Sequence, residues 1–208
     1  MKKGILFDLD GTLWDSTHTV LPVWNTVFAR GGARRITHAQ LCSYMGKTMT
    51  QIGEIVMPDF PPERREAVMR ECFRAEQPVL REKGARLYPQ VEETLERLSQ
   101  RYTLALVSNC QDGYIEAFLA HYGFNRYISD HECAGTGRTK GENIELVLCR
   151  SGIGKAVYVG DTQGDRDAAA KAGLPFIWAR YGFGMVNGPV PYIDSFAQLP
   201  EIAENLLK

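Results

Sequence analysis

Gly4-Ile5-Leu6-Phe7-Asp8-Leu9-Asp10-Gly11-Thr12 is an apolar run that stops at two carboxylates and a glycine. Residues 4–9 read as a short strand, and a continuous apolar stretch of that length is the pattern of a parallel-sheet strand covered on both faces. The acidic pair then lies at the strand's carboxyl end. That is the edge where open parallel sheets bind ligands.

Outward from this strand the pattern changes twice. Residues 15–84 contain no comparable strand. Helix-like stretches fall at 16–30, 37–44, 48–56 and 63–83, punctuated by Gly31, Gly32, Gly46, Pro58, Pro61 and Pro62. Some seventy residues exceed a simple crossover, so 15–84 reads as an inserted α-helical cap subdomain. After Pro89, strand and helix alternate: helix 91–99, strand 102–107, helix 112–122, helix 143–149, strand 156–159, helix 165–172, strand 174–178 and a closing helix from Leu199. Alternation of this kind predicts an α/β fold with a doubly wound, Rossmann-like parallel sheet built from residues 1–14 and 85–208.

Composition narrows the function classes. A chain of 208 residues buries a substantial core as one domain carrying an insertion. Lys plus Arg (24) nearly cancel Asp plus Glu (25), which leaves no basic footprint for nucleic acid. Asp8 and Asp10 interrupt the N-terminal apolar run before a signal sequence or membrane span can form, so the expectation is a cytoplasmic chain, monomer or homodimer. Cys42, Cys72, Cys110, Cys133 and Cys149 are odd in number and contain no C-x-x-C pair, which suggests reduced thiols rather than a disulfide framework or zinc site.

Polar residues collect in the loops of the alternating half: Asp8 and Asp10; Ser108 and Asn109; Lys140 after a Gly-rich loop; Asp161 and Asp165. Two carboxylates at i and i+2 repel unless a cation sits between them, and Mg2+ suits carboxylate, carbonyl and water oxygens. Asp161 and Asp165 are spaced to face the same ion. An acidic cluster alone repels phosphate, so Ser108, Asn109 and Lys140 are the donors and positive charge that a phosphoryl group needs. With its oxygens neutralised, phosphorus is open to in-line attack by Asp8, giving an aspartyl phosphate. Asp10 is then placed to protonate the leaving oxygen and later to deprotonate the hydrolytic water.

The ordered set D-x-D-G-T (Asp8 to Thr12), Ser108-Asn109, Lys140 and G-D-T-x-x-D (Gly160 to Asp165) resembles the haloacid dehalogenase superfamily, in its phosphoglycolate phosphatase-like branch with an inserted helical cap. The resemblance covers essentially the whole chain. It implies Asp8 as nucleophile and metal ligand, Asp10 as acid/base and carbonyl metal ligand, and Ser108 as phosphate binder. It also implies Lys140 as stabiliser of nucleophile and phosphate, Asp161 as magnesium ligand and Asp165 as a supporting acid. Gly141 stands where the family commonly has proline. The dehalogenases proper lack the second acid of the first motif, so Asp10 argues for phosphate chemistry on a small phosphorylated metabolite. A sugar phosphomutase of the β-phosphoglucomutase type shares fold, cap and motifs. A phosphorelay receiver combines similar residues, but its acidic pair and acceptor lie on different strands.

Other stretches have blander readings. Gly46-Lys47-Thr48 resembles the end of a P-loop, yet Leu41 stands where its first glycine belongs. Lys47 reads as a solvated loop lysine with substrate contact as the alternative, and Arg30, Arg34 and Arg35 as a solvated surface. The four histidines are too scattered for a metal site. Trp14, Trp24 and Phe28 fall at helical intervals and predict packed cap core, with Trp14 the one placed to line an entrance.

Overall fold

The computed structural model describes residues 1–208. β1 (Lys2–Phe7) lies at the centre of a six-stranded sheet in which every neighbouring pair is parallel. Its side chains explain the unbroken apolar run. Ile5 and Phe7 enter one core layer and Leu6 the other, all with no exposed surface, because helices cover both faces of the sheet.

Numbered along the chain, the remaining sheet strands are β4 (Thr103–Val107), β5 (Ile128–Glu132), β6 (Ile153–Gly160), β7 (Phe176–Ala179) and β8 (Tyr192–Ile193), in the spatial order β5-β4-β1-β6-β7-β8. The helices of this half are α5 (Val91–Ser99), α6 (Tyr114–Tyr122), α7 (Lys140–Ser151), α8 (Gln163–Lys171) and α9 (Leu199–Leu206). The order turns back on itself at β1, where β4 lies on one side and β6 on the other. That reversal opens a crevice at the carboxyl edge, over Asp8.

Sequence patterning missed both edge strands. β5 (Ile-Ser-Asp-His-Glu) is mostly polar and half-exposed, and backbone pairing to β4 makes it a strand where hydrophobicity does not. β8 is two residues long. The expected helix at 143–149 begins earlier, at Lys140, because Thr139 and Glu142 close a reciprocal capping box that moves Lys140 from the loop onto the first turn.

Four helices separate β1 from α5: α1 (Thr17–Gly31), α2 (His38–Tyr44), α3 (Met49–Val56) and α4 (Pro62–Lys83). The long pair α1 and α4 lie against one another through Val20, Trp24, Val27 and Phe28 on one side and Val68, Met69, Cys72 and Leu80 on the other. α4 also rests on α6 of the sheet layer. The chain enters and leaves this helical insertion through two short antiparallel strands, β2 (Trp14–Asp15) and β3 (Arg86–Leu87), that the periodicity did not predict. No helix is long and apolar enough to cross a membrane.

Trp14 locks that double crossing. It is fully buried and edge-on to Tyr114, Phe118 and Tyr122, with ring centroids 5.6, 4.9 and 6.3 Å away. It is core, and the expected entrance position is not where it lies. Trp14→Ala is expected to lower unfolding free energy by about 3–5 kcal/mol, measured by urea denaturation, because the aromatic cluster cannot collapse onto the void.

Candidate active site

The segments after β1, β4 and β6 and the first turn of α7 meet above the carboxyl edge of the sheet. Asp8 continues the β1 ladder, its N–H donating to the Val159 carbonyl at 2.8 Å. Gly11 then takes φ +82°, and a Cβ there would lie 2.2 Å from Asp161 Oδ2, so only glycine lets this turn close over the β6 loop. Thr162 caps α8 by accepting from the Asp165 N–H, and the Asp165 carboxylate returns the bond. Asp165 Oδ2 accepts from Thr162 N (2.9 Å), Thr162 Oγ1 (2.7 Å) and Asp161 N (3.2 Å).

That leaves Asp165 Oδ1 for Lys140, whose Nζ donates to it at 2.5 Å and to Asp8 Oδ1 at 2.7 Å. All three side chains are buried. Asp161 completes the group. Its Oδ2 accepts from the backbone N–H of Phe183 (2.7 Å) and Gly184 (3.3 Å), and its Oδ1 is buried with no partner. Carboxylate oxygens of Asp8, Asp161 and Asp165 lie within 4.8 Å of one another.

The charge balance is uneven, since one ammonium faces three carboxylates. Burial alone pulls the Lys140 ammonium toward release of its proton, but Asp165 and Asp8 outweigh it and hold the group charged well above its ordinary range. Burial raises Asp8, partly offset by Lys140. Burial, then the charges of Asp165 and Asp8, raise Asp161 well above the usual carboxylate range. Two excess negative charges and the orphaned Asp161 Oδ1 fit a divalent, oxygen-seeking cation in chemistry and valence.

Asp10 stands apart from this cluster. Its Oδ1 accepts from the Ser16 hydroxyl at 2.5 Å and the Tyr114 hydroxyl at 3.0 Å, and burial pushes its pKa up to about 7. Asp10 opens with Asp8, Ser108 and Asn109 onto a cavity of about 50 Å³. Its other wall belongs to the helical insertion and includes Trp24, Lys47 and Glu76. Asn109 Nδ2 donates to the Gly46 carbonyl at 2.9 Å, which ties the sheet loop to the insertion.

All seven residues singled out from the sequence therefore gather at one edge, in two groups: Lys140, Asp8, Asp165 and Asp161 in the ionic cluster, and Asp10, Ser108 and Asn109 with Asp8 along the cavity. Sequence reading missed Ser16 and Tyr114, which hold Asp10, the Phe183-Gly184 amides, which hold Asp161, and Glu76. Glu76 is buried on α4 with Oε2 accepting from Trp24 Nε1 at 2.5 Å. A glutamate within a charged helix gives no sequence signal, because only the packing of α1 on α4 turns it inward. Trp24 is packed as expected, and it also lines the cavity.

Lys140→Met leaves two buried carboxylates without their ammonium. In metal-free buffer it is expected to cost about 3–5 kcal/mol of stability by denaturant unfolding. Glu76 provides a pH test. Burial raises its pKa from 4.5 to about 8, against the opposing bond from Trp24, with the nearby Asp10 charge also raising it. Cys72 and Tyr114 are its other titratable neighbours. Between those two pH values the native chain holds a proton that the unfolded chain releases, so this group's contribution to stability falls as pH rises. Glu76→Gln is expected to gain stability relative to wild type between pH 5 and 8, read from paired urea melts.

Comparison with known proteins agrees with this architecture. The model of the haloacid dehalogenase-like hydrolase family matches residues 5–179. A phosphoglycolate phosphatase of Xanthomonas campestris pv. campestris is 29% identical over 187 residues, covering 87% of this chain and 84% of that protein. One from Agrobacterium fabrum is 28% identical over 220 residues, covering 97% and 93%. Among solved structures, a predicted phosphoglycolate phosphatase from Haemophilus somnus 129PT superposes with a TM-score of 0.83 over 97% of both chains at 23% identity, which speaks for the fold. With its sheet order, helical insertion and acidic edge accounted for, the chain belongs to the haloacid dehalogenase-like hydrolases and is a hydrolase of their phosphatase kind.

Proposed function

We propose that the protein is a magnesium-dependent phosphomonoesterase that hydrolyses a small phosphorylated metabolite through an aspartyl phosphate on Asp8, with residues 15–84 serving as a cap. The observation that carries this reading is the buried Lys140 ammonium held between Asp8 and Asp165, beside an unpartnered Asp161 Oδ1 and under the helical insertion. The names of the curated relatives support phosphoglycolate as one candidate substrate; sugar and nucleotide phosphates are the others. Scattered free thiols support a cytoplasmic setting.

Asp8, Asp161 and the Asp10 carbonyl would hold Mg2+, with Asp165 supporting them by fixing Lys140 and the Asp161 backbone. When bound, the ion supplies positive charge against the phosphoryl oxygens and lowers the repulsion between phosphate and carboxylate. Lys140 keeps Asp8 ionised and oriented, and with Ser108 and Asn109 it receives the phosphoryl oxygens.

Asp8 attacks phosphorus as the ester P–O bond breaks, and protonated Asp10 gives its proton to the leaving alkoxide. Asp10, now a carboxylate, takes a proton from the water that attacks the acyl phosphate. Asp8 is released as the P–O bond to it breaks, and inorganic phosphate leaves. A pKa raised to about 7 suits a group that must give and take one proton near neutral pH. Ser16 and Tyr114 hold that carboxyl in place through its Oδ1. The cap excludes bulk water from the acyl phosphate.

The test is phosphate release from a panel of phosphorylated metabolites with and without Mg2+. Asp8→Asn is expected to fall to background. Asp10→Asn is expected to lose about 10²–10⁴-fold in kcat, with acid-quenched labelled protein accumulating as phosphoenzyme. Equal phosphate release by wild type and both variants would falsify the mechanism. Bisphosphate-primed isomerisation without net phosphate release would replace hydrolysis with a mutase reaction.

A further inference from the structure

Two cavities adjoin under the helical insertion. The inner one, over Asp8 and Asp10, measures about 50 Å³. A single water needs about 10–15 Å³ of such space, so the inner cavity has room for about four, the bulk of one phosphoryl group with its ester oxygen. A second, of about 310 Å³, is an open cleft between α3 and α4. Met49 and Gln111 line both, so the two spaces meet at these side chains. The sheet loop that carries Gln111 is tied to the insertion on either side of it. Asn109 Nδ2 donates to the Gly46 carbonyl at 2.9 Å, and Gln77 Nε2 donates to the Asp112 carbonyl at 3.2 Å. The junction therefore exists with the insertion seated on the sheet layer.

With the inner cavity filled by the phosphoryl group, the rest of a larger substrate has to lie outside it, and the cleft is the neighbouring space. What the cleft offers is apolar surface. Gly53 and Met69 are buried in its lining, and Met49 and Phe73 are half-buried. α3 comes close to α4 at this point, since a Cβ on Gly53 would lie 3.0 Å from Met69 Cγ. The charged residues of the cleft, Arg65, Arg70, Glu54 and Glu66, reach solvent and balance in sign, so they set no demand for a net charge. Length and apolar surface are the properties that such a space selects.

We propose that the cleft between α3 and α4 is a leaving-group subsite, entered past Met49 and Gln111, that takes the distal half of an extended alcohol with an apolar end. The inference rests on the phosphomonoesterase reading and names the substrate class for that same site. It sets this chain apart from the compact ester that its phosphoglycolate phosphatase relatives are named for. Asp8 and Asp10 act on the phosphoryl group in the inner cavity, and the cleft holds the part of the substrate that departs.

A series of ethyl, butyl, hexyl and octyl phosphate tests it, using the full chain with Mg2+ and with 2-phosphoglycolate as the compact reference. Each methylene buried in the cleft is worth about fourfold, so wild-type kcat/KM is expected to rise by about tenfold or more from ethyl to octyl phosphate. Octyl phosphate is also expected to exceed 2-phosphoglycolate. Thr50 is exposed and lines the cleft but not the inner cavity. Thr50→Trp fills the cleft and is expected to abolish the gain with length, while ethyl phosphate stays within about twofold of wild type. Phe73→Ala removes apolar wall and is expected to reduce the gain by about threefold or more.

Each octyl-to-ethyl ratio is internal to one protein sample, so partial unfolding of a variant cancels, and the wild-type series decides the matter if neither variant folds. A wild-type kcat/KM that does not rise with chain length, or a gain that survives Thr50→Trp unchanged, would overturn the inference. Labelling by acetyl phosphate tells the two failures apart. If Asp8 becomes phosphorylated but the length dependence is absent, the cleft assignment alone is lost. If acetyl phosphate does not label Asp8 and no ester of any length is hydrolysed, the phosphomonoesterase reading falls and this inference with it.

Discussion

The Lys140 ammonium sits between the Asp8 and Asp165 carboxylates at 2.7 and 2.5 Å, with all three side chains out of solvent. Three separate pieces of chain must be in place for that contact to exist: the end of β1, the first turn of α7 and the first turn of α8. Each is positioned by a local device. The β1 ladder holds Asp8, the Thr139–Glu142 box starts α7 at Lys140, and the Thr162–Asp165 box turns Asp165 inward. A buried ion pair of this kind offsets a large desolvation cost only when both partners arrive together. The cluster therefore couples the two halves of the sheet on either side of β1 as well as supporting the proposed chemistry.

The same low-dielectric surroundings act differently on the two carboxyls farther from Lys140. Asp10 and Glu76 have no ammonium beside them, only neutral donors: Ser16 and Tyr114 for one, Trp24 for the other. Neutral donors offset burial only in part, and both acids are raised into the range around neutrality, to about 7 and about 8. Asp8 is oriented by charge and Asp10 by dipoles. That difference supports assigning one as nucleophile and the other as proton carrier. Closure by the helical insertion supplies the desolvation for both.

Much of this was legible before folding because it is local. The buried strand at 4–9, the alternation after Pro89 and the strandless stretch at 15–84 are patterns of adjacent residues, and the motif residues announce themselves by type and spacing. The misses share a different cause. β5 is a strand because β4 offers it a ladder, and its polar sequence carries no period. Lys140 was expected in a loop, and a four-residue capping box places it on a helix.

The sequence by itself determined the fold class and the chemical vocabulary of the site, because hydrophobic period and residue type are properties of neighbours along the chain. Only the tertiary structure decided how Asp8 and Asp10 divide. One meets Lys140, 132 positions away along the chain, and the other meets Tyr114, 104 positions away. It alone made Glu76 part of the cavity, since that carboxyl gains its meaning from the packing of α4 on α1 and from Trp24, 52 positions away. Desolvation and charge pairing depend on distance in space, and a linear reading cannot supply that distance.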